Sequence, residues 1–264
     1  MYFCPDMKQN GVFTSDNKYE TEFIVPCYDA DSRFFMKPSA FMDHAQEMAY
    51  LAATYLGFGY DDLQKHHTAW VLSRFEYRFI NTPKWRDALK LQTWHKGVDG
   101  LFALRDFRLL YEDGTPAIVG TSSWLVIDVE TRRMVRSDEC EKLVPPGSMC
   151  LDDAIEERAP KVTMPRGVEP EFVKDHVVGY SDLDFIGHTN NARYIVWAMN
   201  AIDPSITFSH NVLAVRINFN KETTSGETVS LYRFCREEAG KIVCTVEGRA
   251  AGKAAFVAEI DFAL

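Results

Sequence analysis

Phe75-Glu76-Tyr77-Arg78-Phe79, running on through Lys90-Leu91-Gln92-Thr93-Trp94, recurs as Val215-Arg216-Ile217-Asn218-Phe219 running on through Ser230-Leu231-Tyr232-Arg233-Phe234. The spacing is constant: Phe79 matches Phe219, Asp87 matches Glu227, Leu89 matches Val229 and Leu91 matches Leu231. Self-similarity of this kind means that one structural unit occurs twice, and it has to be found before any element is assigned. Upstream, Asp29-Ala30-Asp31 corresponds to Asp182-Leu183-Asp184, each followed by a helical pattern.

In the first unit, apolar residues from Phe41 fall at Ala45, Met48, Ala49, Ala52 and Leu56, the period of an amphipathic helix. Pro38 suits its first turn and Gly57 its C-terminal cap. The second unit repeats the spacing at Tyr194, Trp197, Ala198 and Ala201, with Thr189, Asn190 and Asn191 as N-cap candidates and Pro204 as terminator. After each helix come strand patterns: Leu89 to Trp94, Phe102 to Tyr111 and Ala117 to Asp128, then Val229 to Cys235, Lys241 to Arg249 and Ala254 to Phe262. Asp113-Gly114 reads as a tight hairpin turn. The expectation is an α+β fold in which each helix lies against its own antiparallel sheet. Residues 1–130 form the first unit and 171–264 the second; the proline-rich, partly acidic stretch 131–170 is a linker with room for one short helix.

Of 264 residues, 46% are hydrophobic, yet no apolar run approaches the roughly 18 residues that cross a bilayer. No membrane span is expected. The N-terminal residues lack the features of an export signal or transit peptide, so a cytoplasmic location is expected. The cysteines, at 4, 27, 140, 150, 235 and 244, have no C-x-x-C spacing and are read as reduced thiols. Should Ala239-Gly240 be a two-residue hairpin turn, Cys235 and Cys244 would face each other across strands, and a disulfide is the minor alternative. A net charge of −9 disfavours nucleic acid as a partner. An acidic protein partner would need a local basic patch, for which Arg132, Arg133 and Arg136 are the densest candidates, against a plain solvated turn.

Nucleophile-elbow, P-loop, dinucleotide-binding and zincin motifs are all missing from the sequence. His66-His67 does not put both rings on one helical face, so no metal is expected. What remains is Tyr180 to Tyr194, where Asp182, Asp184, Gly187 and His188 stand just before a helix whose N-terminal N–H groups suit a developing oxyanion. Gly187 would let a carbonyl approach with no Cβ in the way. Asp184 and His188 are candidates to orient or deprotonate water. The alternative is that the aspartates are turn formers and caps and that His188 is packed in the core.

D-x-D-x-x-G-H-x-N-N-x-x-Y resembles the motif of hot-dog thioesterases, and D-L-D-x-x-x-H-x-N-N-x-x-Y-I-x-W resembles the C-terminal half of plant acyl-acyl-carrier-protein thioesterases. Pro83-Lys84-Trp85-Arg86-Asp87, Thr93-Trp94, Arg105-Asp106, Ser122-Ser123-Trp124 and Thr131-Arg132-Arg133 resemble its N-terminal half, so the likeness runs from about residue 20 to 235. It implies two tandem hot-dog repeats, no cofactor, and hydrolysis of fatty acyl groups from acyl carrier protein. It also implies a catalytic set in which Asp184, His188 and Glu222 match; Ile186 stands where the family has Asn, and Thr223 where it has Cys. The implied mechanism is water-mediated: Glu222 or His188 activates water, Asp184 positions the histidine, and N–H groups near Gly187 and His188 hold the oxyanion. Asp184 acting directly, as base or nucleophile, is the rival. Thr223 and Asn190 are expected to position water or the carbonyl oxygen. The first repeat has no Gly-His pair and is expected to wall an acyl pocket with Met42, Ala45, Met48, Ala49 and Ala52, although such a stripe also suits core packing. An acyl-CoA thioesterase, a hot-dog hydratase and a non-catalytic acyl-binding module are the alternatives. An exposed sheet edge would favour a homodimer.

Overall fold

The computed structural model describes residues 11–135, 144, 145 and 147–264. Eleven strands form one antiparallel sheet in the order β1-β2-β4-β5-β6-β3-β8-β11-β10-β9-β7. They are β1 (Val12–Phe13), β2 (Tyr19–Ile24), β3 (Thr68–Phe79), β4 (Ala88–Asp99), β5 (Phe102–Tyr111), β6 (Pro116–Asp128), β7 (Glu171–Val177), β8 (Val212–Phe219), β9 (Thr228–Glu238), β10 (Lys241–Ala250) and β11 (Lys253–Ala263). Apart from the short edge strand β1, the order is a palindrome of two five-strand units, β2-β4-β5-β6-β3 and β8-β11-β10-β9-β7, that abut at β3 and β8. Phe75 faces Ile217 and Tyr77 faces Val215 at that seam, so the recurring motifs pair with each other, as two copies related by a two-fold axis must.

Helix α1 (Pro38–Tyr55) packs on the first half-sheet and α3 (Asn191–Ala201) on the second; α2 (Tyr60–Gln64) and α4 (Pro204–Thr207) are short. Pro38 is in the first turn of α1 and Gly57, at φ +80°, follows its end, with the Phe58 N–H reaching Ala53 O at 3.0 Å. Phe41, Met42, Ala45, Phe75, Tyr77, Leu91 and Phe107 meet in the core beneath α1, and Ile195, Ala198, Val215, Leu231 and Phe256 beneath α3. Among the described residues no helix is long and apolar enough to cross a membrane.

The sequence assigns no element at β1, β2, β7, α2 or α4, where Pro204 is expected only to terminate a helix, and it shows β3 and β8 only as recurring alternation. The edge strand β7 shows why, since Glu171, Phe172, Lys174, Asp175 and Val177 are all exposed and no apolar alternation survives. Its charges also guard the edge against strand addition, which weakens the edge argument for a homodimer. Described residues of the linker contain no helix or strand. It is nonetheless anchored: Trp94 Nε1 donates to Asp152 O (2.7 Å), Lys96 Nζ to Ile155 O (2.7 Å) and Asn218 Nδ2 to Val162 O (2.6 Å). The linker thus ties β4 of the first unit to β8 of the second. Ala239 and Gly240 both have positive φ, the turn that sets Cys235 opposite Cys244, and the two are joined as a disulfide rather than standing as thiols.

Candidate active site

A one-turn 3-10 segment, Tyr180–Asp182, leads into the loop before α3. Asp182 anchors it from below. Its carboxylate accepts from Gly179 N (2.8 Å), His176 Nε2 (2.9 Å) and Trp197 Nε1 (3.2 Å). Burial alone would raise its pKa, but these partners outweigh that and hold it below the usual carboxylate value.

The loop then closes on Asp184. Asp184 N donates to His188 O (2.8 Å), Gly187 N donates to Asp184 O (3.1 Å), and Asp184 Oδ1 accepts from the backbone N–H groups of Ile186 (3.0 Å) and His188 (3.1 Å). Asp184 therefore organises the His188 backbone, not its ring. The N–H groups of Gly187 and His188, expected to face an oxyanion, are both used inside the loop. Gly187 has φ +84°, and a Cβ there would meet nothing within 4 Å, so the turn requires glycine for its backbone angle and not for space.

The first repeat builds the same turn without the imidazole. Asp31 Oδ1 accepts from Arg33 N (2.8 Å) and Phe35 N (2.9 Å), and Phe35 bridges Lys84 just as His188 bridges Thr224. Phe35 occupies the place of His188, and Thr82 that of Glu222.

His188 Nδ1 lies 3.7 Å from Glu222 Oε1, while Glu222 Oε2 accepts from Arg132 at 2.5 Å. The three form a chain across the two repeats, half exposed at its His188 and Glu222 end. Arg132 is thereby engaged by Glu222, Arg133 is exposed, and Arg136 lies outside the described residues. Thr223 is fully buried. Its hydroxyl is 2.7 Å from that of Thr189 and 2.9 Å from that of Tyr194, which makes it a support beneath the loop. Asn190 caps α3: its Oδ1 accepts from Ala192 N (2.8 Å) and Gln46 Nε2 (2.9 Å), leaving the amide NH₂ as its remaining donor.

A cavity of about 640 Å³ opens beside this loop, under the C-terminal half of α1 and over β3 to β6. Asp184, Ile186, Asn190 and Asn191 line it from the second repeat; Ala49, Ala53, Trp70, His95, Arg105 and Trp124 line it from the first. His188 and Glu222 are not among its lining residues. Of the five α1 residues expected to wall a pocket, Ala49 does so; Met42, Ala45, Met48 and Ala52 are packed in the core. The reason is helical phase: the cavity is met by 46, 49, 50 and 53, one step round from the most apolar stripe. Asp43 and Gln46 also line it. Their polarity within an apolar helix was a signal available in the sequence, and Asp43 binds Arg193 Nη2 at 2.7 Å, joining α1 to α3. His95 had no comparable signal, because its strand reads as ordinary alternation, and Arg105 stood out only within the Arg105-Asp106 pair of the resemblance.

Models of the acyl-ACP thioesterase N-terminal and C-terminal domains match residues 16–142 and 167–264, on either side of the linker. The chain belongs to the acyl-ACP thioesterase family. Among its relatives, the chloroplastic oleoyl-acyl carrier protein thioesterase of Coriandrum sativum is 25% identical over 83% of this chain and 63% of its own length. Oleoyl-acyl carrier protein thioesterase 1 of Arabidopsis thaliana is also 25% identical, over 89% of this chain and 69% of its own. The chain thus spans a little under two thirds of the coriander relative. The solved 12:0-ACP thioesterase of Umbellularia californica superposes with a TM-score of 0.84 at 20% identity, covering 93% of both chains, which makes the fold a double hot-dog.

Proposed function

We propose that this member of the family hydrolyses the thioester of fatty acyl-acyl carrier protein, with Asp184 as the base that activates water. One observation carries the assignment: Asp184 is the ionisable member of the motif that lines the cavity, its Oδ1 fixed by two backbone donors and its Oδ2 without a hydrogen-bond partner among the described residues. An acyl chain lies in the cavity with its thioester carbon at the loop. Asp184 takes a proton from water, the hydroxide adds to the carbonyl carbon, and the Asn190 amide donates to the carbonyl oxygen as it gains charge. Collapse breaks the C–S bond, and the proton held by Asp184 passes to the departing sulfur. The His188–Glu222–Arg132 chain borders the rim where the carrier arm enters and orients it. The carrier is acidic and this chain has a net charge of −9, so docking draws on the exposed Arg133, next to an Arg132 that is paired with Glu222. A cytoplasmic setting is part of the same proposal.

The test is a panel of acyl carrier protein and CoA thioesters from short to long chains, incubated with the purified protein and with Asp184→Asn. Release of fatty acid from the carrier-protein thioesters, abolished or strongly slowed in the variant, supports the reading. Faster turnover of CoA thioesters would reassign the carrier, and tight acyl binding with no release would make the chain a binding module.

A further inference from the structure

The cavity wall carries a charge that no described residue neutralises. Arg105, on β5, is only 6% exposed and lines the cavity, yet among the described residues its guanidinium makes one hydrogen bond, from Nη1 to Thr93 Oγ1 at 3.3 Å. Among the described residues no carboxylate stands in ion-pair range of it. Burial draws its pKa down to about 10, which still leaves it charged at neutral pH. A guanidinium has five N–H donors, and a buried one with a single partner is costly.

His95, on the adjacent strand β4, lines the same wall. Its Nδ1 is 3.1 Å from Leu104 O, which fixes the proton on Nδ1 and leaves Nε2 as an acceptor with no partner among the described residues. Burial, and then the neighbouring Arg105, lower its pKa to about 4, so the ring is neutral. Around this pair the lining is apolar: Phe58, Leu63, Ala103 and Trp124. A plain alkyl chain filling the cavity would strand both a donor and an acceptor. A carboxylate or ketone would serve Arg105 but offer nothing to Nε2. A hydroxyl serves both.

We propose that the cavity selects acyl chains bearing a hydroxyl on their distal half, the oxygen accepting from Arg105 and the hydroxyl proton going to His95 Nε2. The distal position follows from the sheet order. β5 and β4 lie two and three strands beyond β3 on the side away from the second repeat and its loop, about 10 to 14 Å at ~4.8 Å per strand. The proposal rests on the acyl-thioester reading above, but its test does not need turnover.

Trp70 and Trp124 line the cavity, so ligand binding is read by their fluorescence. The probes are dodecanoate, ω-hydroxydodecanoate, 3-hydroxydodecanoate and dodecanedioate, titrated into the wild-type chain, Arg105→Met and His95→Phe. The ω-hydroxy acid should bind at least about tenfold more tightly than dodecanoate, the 3-hydroxy acid should gain nothing, and each substitution should bring the ω-hydroxy preference to within about twofold of unity. The same ratio should appear in kcat/KM for the matching CoA thioesters. Equal binding of the hydroxylated and plain chains, a preference for the diacid or the 3-hydroxy acid, or a preference that survives in whichever variant folds, overturns the proposal. A binding preference without release of any acid would instead refute the hydrolase reading and leave this one standing.

Discussion

Ala49 and Ala52 are one turn apart on α1, but Ala49 lines the cavity and Ala52 is packed in the core. Replacing each by leucine therefore separates pocket from core within a single helix. At 49 the added three carbons enter the cavity and expel about three methylenes of a chain that filled it. At ~0.8 kcal/mol for each methylene denied burial, the loss is about 2.4 kcal/mol, or roughly 50-fold in kcat/KM for the longest accepted chain. Chains shorter by three carbons should be hydrolysed as before, so the optimum moves down. At 52 the same carbons overpack the core, costing ~1 to 3 kcal/mol of stability, with the chain-length profile retained. The assay is kcat/KM across a homologous thioester series, with a urea melt of each variant. An unshifted profile in Ala49→Leu, or an equal shift in Ala52→Leu, would refute the placement of the acyl chain.

His95 contributes a pH dependence whose sign is fixed: its pKa falls from 6.5 to about 4 on folding, so its share of stability is complete above pH 6.5 and drains away as pH drops toward 4. That share is at most roughly 3 kcal/mol; His95→Phe should flatten the stability curve across that window, as measured by urea unfolding. Thr223→Val strips a buried hydroxyl from its Thr189 and Tyr194 partners and should cost ~1 to 3 kcal/mol by urea melt, while kcat falls far less than in Asp184→Asn. Arg133→Glu should slow turnover of acyl carrier protein more than that of the matching CoA thioester, with the gap closing in high salt; equal losses would remove Arg133 from docking.

The duplicated motif made the architecture legible, because Phe75 to Phe79 and Val215 to Phe219 carry the alternation of the two central strands, where burial is strongest. Phe102–Tyr111 coincides end for end with its strand, since aromatic and branched residues fill it and Gly100 and Asp113-Gly114 bound it. Edge strands were not legible: β7 is half-solvated and its pattern obeys charge more than burial. At the site, Asp184 and Asn190 could be named from the motif, but not what they touch. Whether Asp184 reaches the His188 ring or its backbone N–H depends on the positive φ of Gly187, which spacing alone does not reveal. Helical phase limited the pocket in the same way, since Ala49 and Ala52 look alike in a periodic pattern. Arg105 was legible only as part of Arg105-Asp106; that it is buried with no counter-charge among the described residues needs β4 and the cavity in place.

Single-turnover hydrolysis of acyl-acyl carrier protein in ¹⁸O-water, with excess enzyme, tests the role of Asp184 most directly. Water activated by Asp184 puts one ¹⁸O into the fatty acid and none into the enzyme. Unlabelled acid in the first turnover, with ¹⁸O recovered in the Asp184 carboxylate, would contradict base catalysis and make Asp184 the nucleophile.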